Sequence, residues 1–292
     1  MSTPATPEAG TKRSQHDDQL RVERDLQIAR DIQRGFLPRE LPALPGWQIA
    51  ARFSPAYEVA GDFYDMFFLS NKVRLGFIVA DVCDKGIGSA LFMGLARSLL
   101  RAFAQQNYTV NWAGVFDDSG KKGRRHGRTG VGVTALKNAV TLTNNYIANN
   151  HGESNMFATL FFGILDPETG EVNYVNGGHP PPLIVNSKGQ VTHRLTLTAP
   201  PVGVFPDVEF GIEQAQLDPG DTLLMFTDGI VEAKNAADEV FSDERLETLL
   251  ASAPRSAENL LDSIEQAVRE HAGEAAQSDD ITLLALRREP VP

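Results

Sequence analysis

The sequence predicts an α+β fold in which antiparallel sheets are flanked by helices and preceded by a linker helix. Three observations carry this. Nine runs of strand length follow Trp47, each bounded by Gly, Pro, Asn or Asp. Several of these runs stand back to back, with DPETGEV and NSKGQV reading as hairpin turns. Helical patterns appear near 88–106, 131–149, 243–252 and 256–271 and do not alternate one for one with the strands, as a doubly wound parallel sheet would require.

Taken in order, residues 1–18 are polar and rich in Pro, Thr and Ala, and read as a disordered tail. Residues 19–45 read as a linker helix and a Pro-rich connector. Val22, Leu26, Ala29 and Ile32 to Phe36 recur at three- and four-residue steps among Arg, Glu and Asp, and Pro38 ends the pattern. Two readings stay open for this stripe: packing on the main domain, or pairing with a second copy through residues 20–36. The main domain runs from 46 to 288, with strands WQIAARFS, DFYDMFFL, VRLGFIVA, FATLFFGIL, EVNYVNGG, PPLIV, VEFGIEQAQL, DTLLMFT and ITLLALR. The stretch near 109–130 contains DDSGKKGRRHGRTG, with five basic residues among glycines and no apolar period. It reads as a solvated insertion loop, with a docking patch for an acidic partner as the alternative.

Composition excludes several classes of function. Of 292 residues, 42% are apolar and 22% charged, an ordinary globular balance with enough chain to bury a core. The formal charge of −11 argues against an extended nucleic-acid surface, because phosphate backbones are held by clustered Lys and Arg. Cys83 is the single cysteine, so neither an internal disulfide nor a Cys-based zinc site is expected. Flanked by aspartates, it is also a poor catalytic thiolate. No unbroken apolar run is long enough for a membrane span, and the N-terminus lacks a secretory h-region, so the expected address is cytoplasmic.

The chemistry lies in carboxylates that end apolar strands. Val73, Leu75, Phe77 and Val79 share a face by alternation, and the next residue of that parity is Asp81. Leu224 and Phe226 lead in the same way to Asp228. Asp62 opens the apolar run FYDMFFL, and Asp279 and Asp280 open ITLLALR. A single aspartate at a strand end is ordinarily a turn or cap residue. Four such ends, if they converge, would repel one another and lose hydration unless protons or cations offset the cost. Carboxylate oxygens favour hard ions such as Mg²⁺ and Mn²⁺. A pair of such ions lowers the pKa of a shared water and neutralises the oxygens of a phosphoryl group.

In order and spacing, EVAGDFYD, ADVCDKGIGSALFM, FATLFFGILDPETGEVNYVNGGHPPPLI, LLMFTDGIVEA and SDDITLLALR resemble the PPM-type serine/threonine phosphatases of the SpoIIE/RsbU group, bacterial relatives of the type 2C protein phosphatases. ERDLQIARDIQRGFLP is similar to the helix that leads into such domains. The resemblance covers about residues 20–288. It implies an α/β/β/α sandwich of two antiparallel sheets with two Mn²⁺ or Mg²⁺ ions between them, a third being conceivable. It implies Asp62 as the bridging ligand, Asp81 and the Val82 carbonyl as further ligands, and Asp228 and Asp279 on the other side, with Asp279 preferred to Asp280. The implied reaction is hydrolysis of phosphoserine or phosphothreonine on a protein, with a STAS-type anti-sigma-factor antagonist as substrate in a partner-switching pathway. An upstream activator protein would supply the signal. A phosphatase-like module that binds a phosphoprotein without turnover is the alternative.

Departures from the family pattern are local. Ala60-Gly61 stands where Gly-Gly is usual, and Gly61 preserves close backbone approach. Cys83-Asp84-Lys85-Gly86 replaces a Ser-Gly-Lys-Gly turn, so Asp84 could cap the turn, tune metal affinity or recruit an extra ion. GIGSAL lacks a third glycine and a βαβ setting, so it reads as a helix N-terminus beside the site. His179 in GGHPPPL reads as a turn histidine, with a proton donor to the leaving group as the second reading.

Overall fold

The computed structural model describes residues 8–69, 73–111, 126–252 and 256–290. Its elements in chain order are α1 (Glu8–Phe36), β1 (Trp47–Ser54), β2 (Phe63–Leu69), β3 (Arg74–Val82), α2 (Ile87–Asn111), α3 (His126–His151), β4 (Ala158–Leu165), β5 (Glu171–Gly177), β6 (Leu183–Val185), β7 (Val191–Arg194), β8 (Glu213–Gln216), β9 (Thr222–Phe226), α4 (Asp243–Ser252), α5 (Ala257–Ala272) and β10 (Ile281–Arg288). One sheet has the order β1-β10-β9-β6-β7 and the other β2-β3-β4-β5-β8. Every pairing within them is antiparallel.

Strand alternation sorts the apolar residues into layers. Leu75, Phe77 and Val79 of β3 meet Phe161 of β4 and Leu223, Met225, Leu284 and Leu286 of the other sheet, which fills the space between the sheets. The intervening Ile78, Ala80 and Val82 face Met93, Ala96 and Leu100 of α2 and Leu136 and Val140 of α3. Leu224, Phe226 and Leu283 turn outward to Leu246 of α4 and Leu261 and Ile264 of α5. The result is the α/β/β/α sandwich, with each fully buried Phe or Leu contributing about 1.5–3 kcal/mol. α2 carries a window, Ile87–Gln106, that is long and apolar enough to cross a bilayer by length and composition alone. Here that helix covers β2 and β3 and packs along α3.

Several boundaries differ from those read in the sequence. α1 starts at Glu8, so the expected tail of 1–18 is helical from there. Residues 1–7 lie outside the described residues. The insertion expected near 109–130 is entered by helix from both sides, α2 to Asn111 and α3 from His126, and its centre, 112–125, lies outside the described residues. The strand expected over VEFGIEQAQL is confined to Glu213–Gln216, because Val208, Phe210 and Ile212 pack toward the helices instead.

Candidate metal and phosphoryl-transfer site

Antiparallel pairing makes the site. β2 begins where β3 ends, with Phe63 opposite Ala80, and β10 begins where β9 ends, with Leu283 opposite Phe226. The residues just beyond these ends therefore meet at one end of the space between the sheets, although they are far apart in the chain. Asp62 and Asp81 come from one sheet, and Thr227, Asp228, Asp279, Asp280 and Thr282 from the other.

Asp62 is 1% exposed, and its Oδ2 accepts hydrogen bonds from the Thr227 and Thr282 hydroxyls, both at 2.7 Å. Burial first, then the charges of Asp81 and Asp280, push its carboxyl well above the usual range, while the two hydroxyls oppose the rise. Asp81 lies in hydrogen-bonding contact with Asp62 and is pushed up to about 7 by burial, then by Asp228, Asp279 and Asp280. Asp228 is raised by burial, then by Asp279 and Glu232. Strand alternation points Asp228 outward with Leu224 and Phe226; it faces Asp81 because the chain leaves β9 in a tight turn, with the Ile230 N–H donating to the Thr227 carbonyl at 3.2 Å. Gly229 permits that turn, since a Cβ there would overlap the Asp280 carbonyl.

The adjacent aspartates of SDDIT take different duties. Asp280 accepts the backbone N–H groups of Ala56 and Gly61, each at 2.8 Å, and also that of Asp62, so it staples the loop before β2. Asp279 is partly exposed and pairs with Lys85 Nζ at 3.0 Å, while the same ammonium donates to the Ser278 carbonyl at 2.5 Å. Asp84 is exposed, adopts φ +69° and accepts the Lys85 N–H at 2.8 Å, a turn cap. Gly61 lies against the Val82 carbonyl, which a Cβ would approach to 2.8 Å. α2 opens directly after this turn, so its N-terminus faces the same end of the sandwich. Burial, followed by the charges of Asp81 and Asp84, pushes the Cys83 thiol up despite the Phe157 N–H that it accepts.

His179 is 1% exposed, with Nδ1 at 3.1 Å from the Thr159 hydroxyl. Burial depresses its pKa to about 3, although the nearby Phe226 carbonyl favours the charged form. The His179 backbone N–H donates to Asn176 Oδ1 at 2.9 Å, a bond that belongs to the turn. The sequence reading missed Thr227, Thr282 and Lys85. TLLMFT and DDIT do place the threonines on the face of Met225 and Leu284, which was the available signal.

The donor set consists of oxygens alone, which suits a hard divalent cation. As placed, no three His, Cys, Asp or Glu side chains among the described residues close on one point tightly enough to hold an ion. Asp62 is turned to two hydroxyls and Asp279 to an ammonium. Raised carboxyl pKa values with shared cause are the electrostatic expression of a site that cations would stabilise.

The family model described as Stage II sporulation protein E (SpoIIE) matches residues 71–289. "Protein IcfG" of Synechocystis sp. is 44% identical over 273 residues, which cover 90% of this chain and 41% of that protein. The chain thus spans about two fifths of the length of that relative. "Phosphoserine phosphatase RsbU" of Bacillus subtilis is 24% identical over 275 residues, covering 92% of this chain and 72% of RsbU. Among solved structures, the SiaA-PP2C domain of Pseudomonas aeruginosa superposes with a TM-score of 0.70 at 20% identity, over 92% of this chain and 98% of that one. With the two-sheet sandwich already in place, the match from 71 to 289 settles the lineage: this chain belongs to the SpoIIE family and carries a PP2C-type fold.

Proposed function

We propose that this chain hydrolyses phosphoserine or phosphothreonine on a protein, with Asp62, Asp81, the Val82 carbonyl, Asp228 and Asp279 holding two Mn²⁺ or Mg²⁺ ions. The observation that carries this reading is that Asp62, Asp81, Asp228 and Asp279, from four strand ends, lie at one end of the space between the sheets, with burial and neighbouring carboxylates raising the pKa of Asp62, Asp81 and Asp228. The ions, when bound, would supply Lewis-acid chemistry, activating a water and neutralising phosphoryl oxygens.

Each residue has a definable part. Asp81 feels the charges of Asp228, Asp279 and Asp280 and is in hydrogen-bonding contact with Asp62, so it would hold the ions together with them. Thr227 and Thr282 fix the Asp62 rotamer by occupying Oδ2. Asp280 is a loop staple and not a ligand, because its oxygens already serve backbone donors. Gly61 lets the Asp62 loop lie on the Val82 carbonyl. Lys85 holds a positive charge on Asp279 at the rim, where an incoming phosphoryl group would meet it. The buried Asp65 below the site is not part of it; it pairs with Arg97 and Arg101.

The relatives support a finer reading. RsbU is by name a phosphoserine phosphatase; for this chain we propose a STAS-type antagonist as substrate and a separate activator protein upstream. Leu20, Val22, Ile28 and Ile32 of α1 are all about half exposed or more, apolar surface that a second copy of the chain would cover. The test is hydrolysis of a chromogenic phosphoester by the full chain. Activity should depend on added Mn²⁺ or Mg²⁺ and vanish in EDTA; undiminished turnover in chelator would reject the mechanism.

A further inference from the structure

We infer that Gln33 is a positioning residue, a side-chain amide on α1 that fixes where the Asp62 loop lies. The inference deepens the proposed function and rests on the reading of Asp62 as an ion ligand. Gln33 is 5% exposed, although α1 around it is largely solvated. Its Nε2 donates to the Ala60 carbonyl at 2.7 Å, and its Oε1 accepts the Ala60 N–H at 3.0 Å. The amide thereby supplies the donor and acceptor that a neighbouring strand would offer, to a segment that belongs to neither sheet. Arg30, three residues earlier on the same helical face, donates from Nε to the Glu58 carbonyl at 2.9 Å.

The opposite side of this loop is held by Asp280 through the Ala56 and Gly61 N–H groups. The backbone leading into Asp62 is thus gripped between α1 and the start of β10. Gly61 is already in contact with the Val82 carbonyl, so a displaced Ala60 would disturb two expected ligands together. Ala60 is fully buried, so water is poorly placed to replace the lost amide. α1 is further seated by the Phe36 ring against Gly94 and by Leu37 on the helix-side core. That apolar contact can survive without the clamp, and so the effect should fall on ligand geometry more than on folding.

Full-length Gln33→Ala and Gln33→Met serve as variants, the second keeping the apolar stem while dropping both hydrogen bonds. Mn²⁺ affinity is read by calorimetry, backbone exchange at 58–62 by metal-free hydrogen exchange, and global stability by urea. Mn²⁺ binding should weaken by roughly tenfold or more, as expected when an outer support of a metal ligand is lost. Exchange at 58–62 should quicken, and hydrolysis should recover toward wild type as Mn²⁺ is raised. Gln27→Ala, on an exposed part of the same helix, should leave all three unchanged. Wild-type Mn²⁺ affinity in both Gln33 variants overturns the inference, whether or not the urea midpoint falls. Asp62→Asn separates the two readings: unchanged Mn²⁺ affinity there removes Asp62 from the ion centre, while exchange at 58–62 still reports whether Gln33 holds the loop.

Discussion

At the scale of single residues, neighbouring aspartates diverge because their oxygens are spent differently. Asp280 gives both oxygens to backbone N–H groups before β2, whereas Asp279 gives one to the Asp280 N–H and the other to the ammonium of the exposed Lys85. A divalent cation can displace an ammonium at the rim far more readily than it can displace three buried backbone donors. Asp228 accepts one backbone N–H, that of Gly229, and is raised by the charges of Asp279 and Glu232. Asp228→Asn should therefore cost at least about 10²-fold in hydrolysis rate, the size expected when an electrostatic catalytic element is lost. Circular dichroism should show the variant folded; a rate near wild type would take Asp228 out of the site.

At the scale of elements, the two antiparallel pairs β2–β3 and β9–β10 deliver the carboxylates, and α2 frames them. α2 is locked to β2 by Asp65, fully buried, which accepts from Arg97 at 3.1 Å and Arg101 at 2.9 Å. Burial raises the Asp65 carboxyl despite both guanidinium groups, which shows the desolvation that the pairing must offset. Arg101 also lies 4.9 Å from the centre of the Phe67 ring. Asp65→Ala would leave both arginines without their carboxylate, Arg97 largely buried, and should cost about 3–5 kcal/mol in urea unfolding. A loss below about 1 kcal/mol would show the triad to be worth no more than a surface pair.

At the scale of the whole molecule, the four-layer sandwich carries a helix that projects much of its apolar stripe into solvent. α1 touches the domain through Arg30, Gln33 and Phe36, with Leu37 just after it on the core, while Leu20, Val22, Ile28 and Ile32 are about half exposed or more. Its end packs on the domain, and pairing of its exposed apolar residues with a second copy is the proposal that deletion tests. Deleting residues 1–37 should lower the oligomeric mass measured by light scattering as well as the mass of the chain. Monomers both before and after deletion would end the dimer proposal.

The sequence by itself determined the α+β class, nine of the ten strands among the described residues and the aspartates at apolar strand ends, because these follow from side-chain periodicity and turn chemistry along a continuous chain; the short β7, Val191–Arg194, has one half-buried residue and three exposed ones and carries no such period. It also offered Asp84 as a turn cap, a local arrangement in keeping with its bond to the Lys85 N–H. Tertiary structure decided what depends on register between distant segments. It turned Asp228 inward against the parity of its strand, divided Asp279 from Asp280, set two threonine hydroxyls on Asp62 and placed Asp81 where the other carboxylates face it. Gln33 meeting Ala60 lies in the same class, for no local pattern tells a solvated glutamine on a helix from one that completes another segment's backbone pairing.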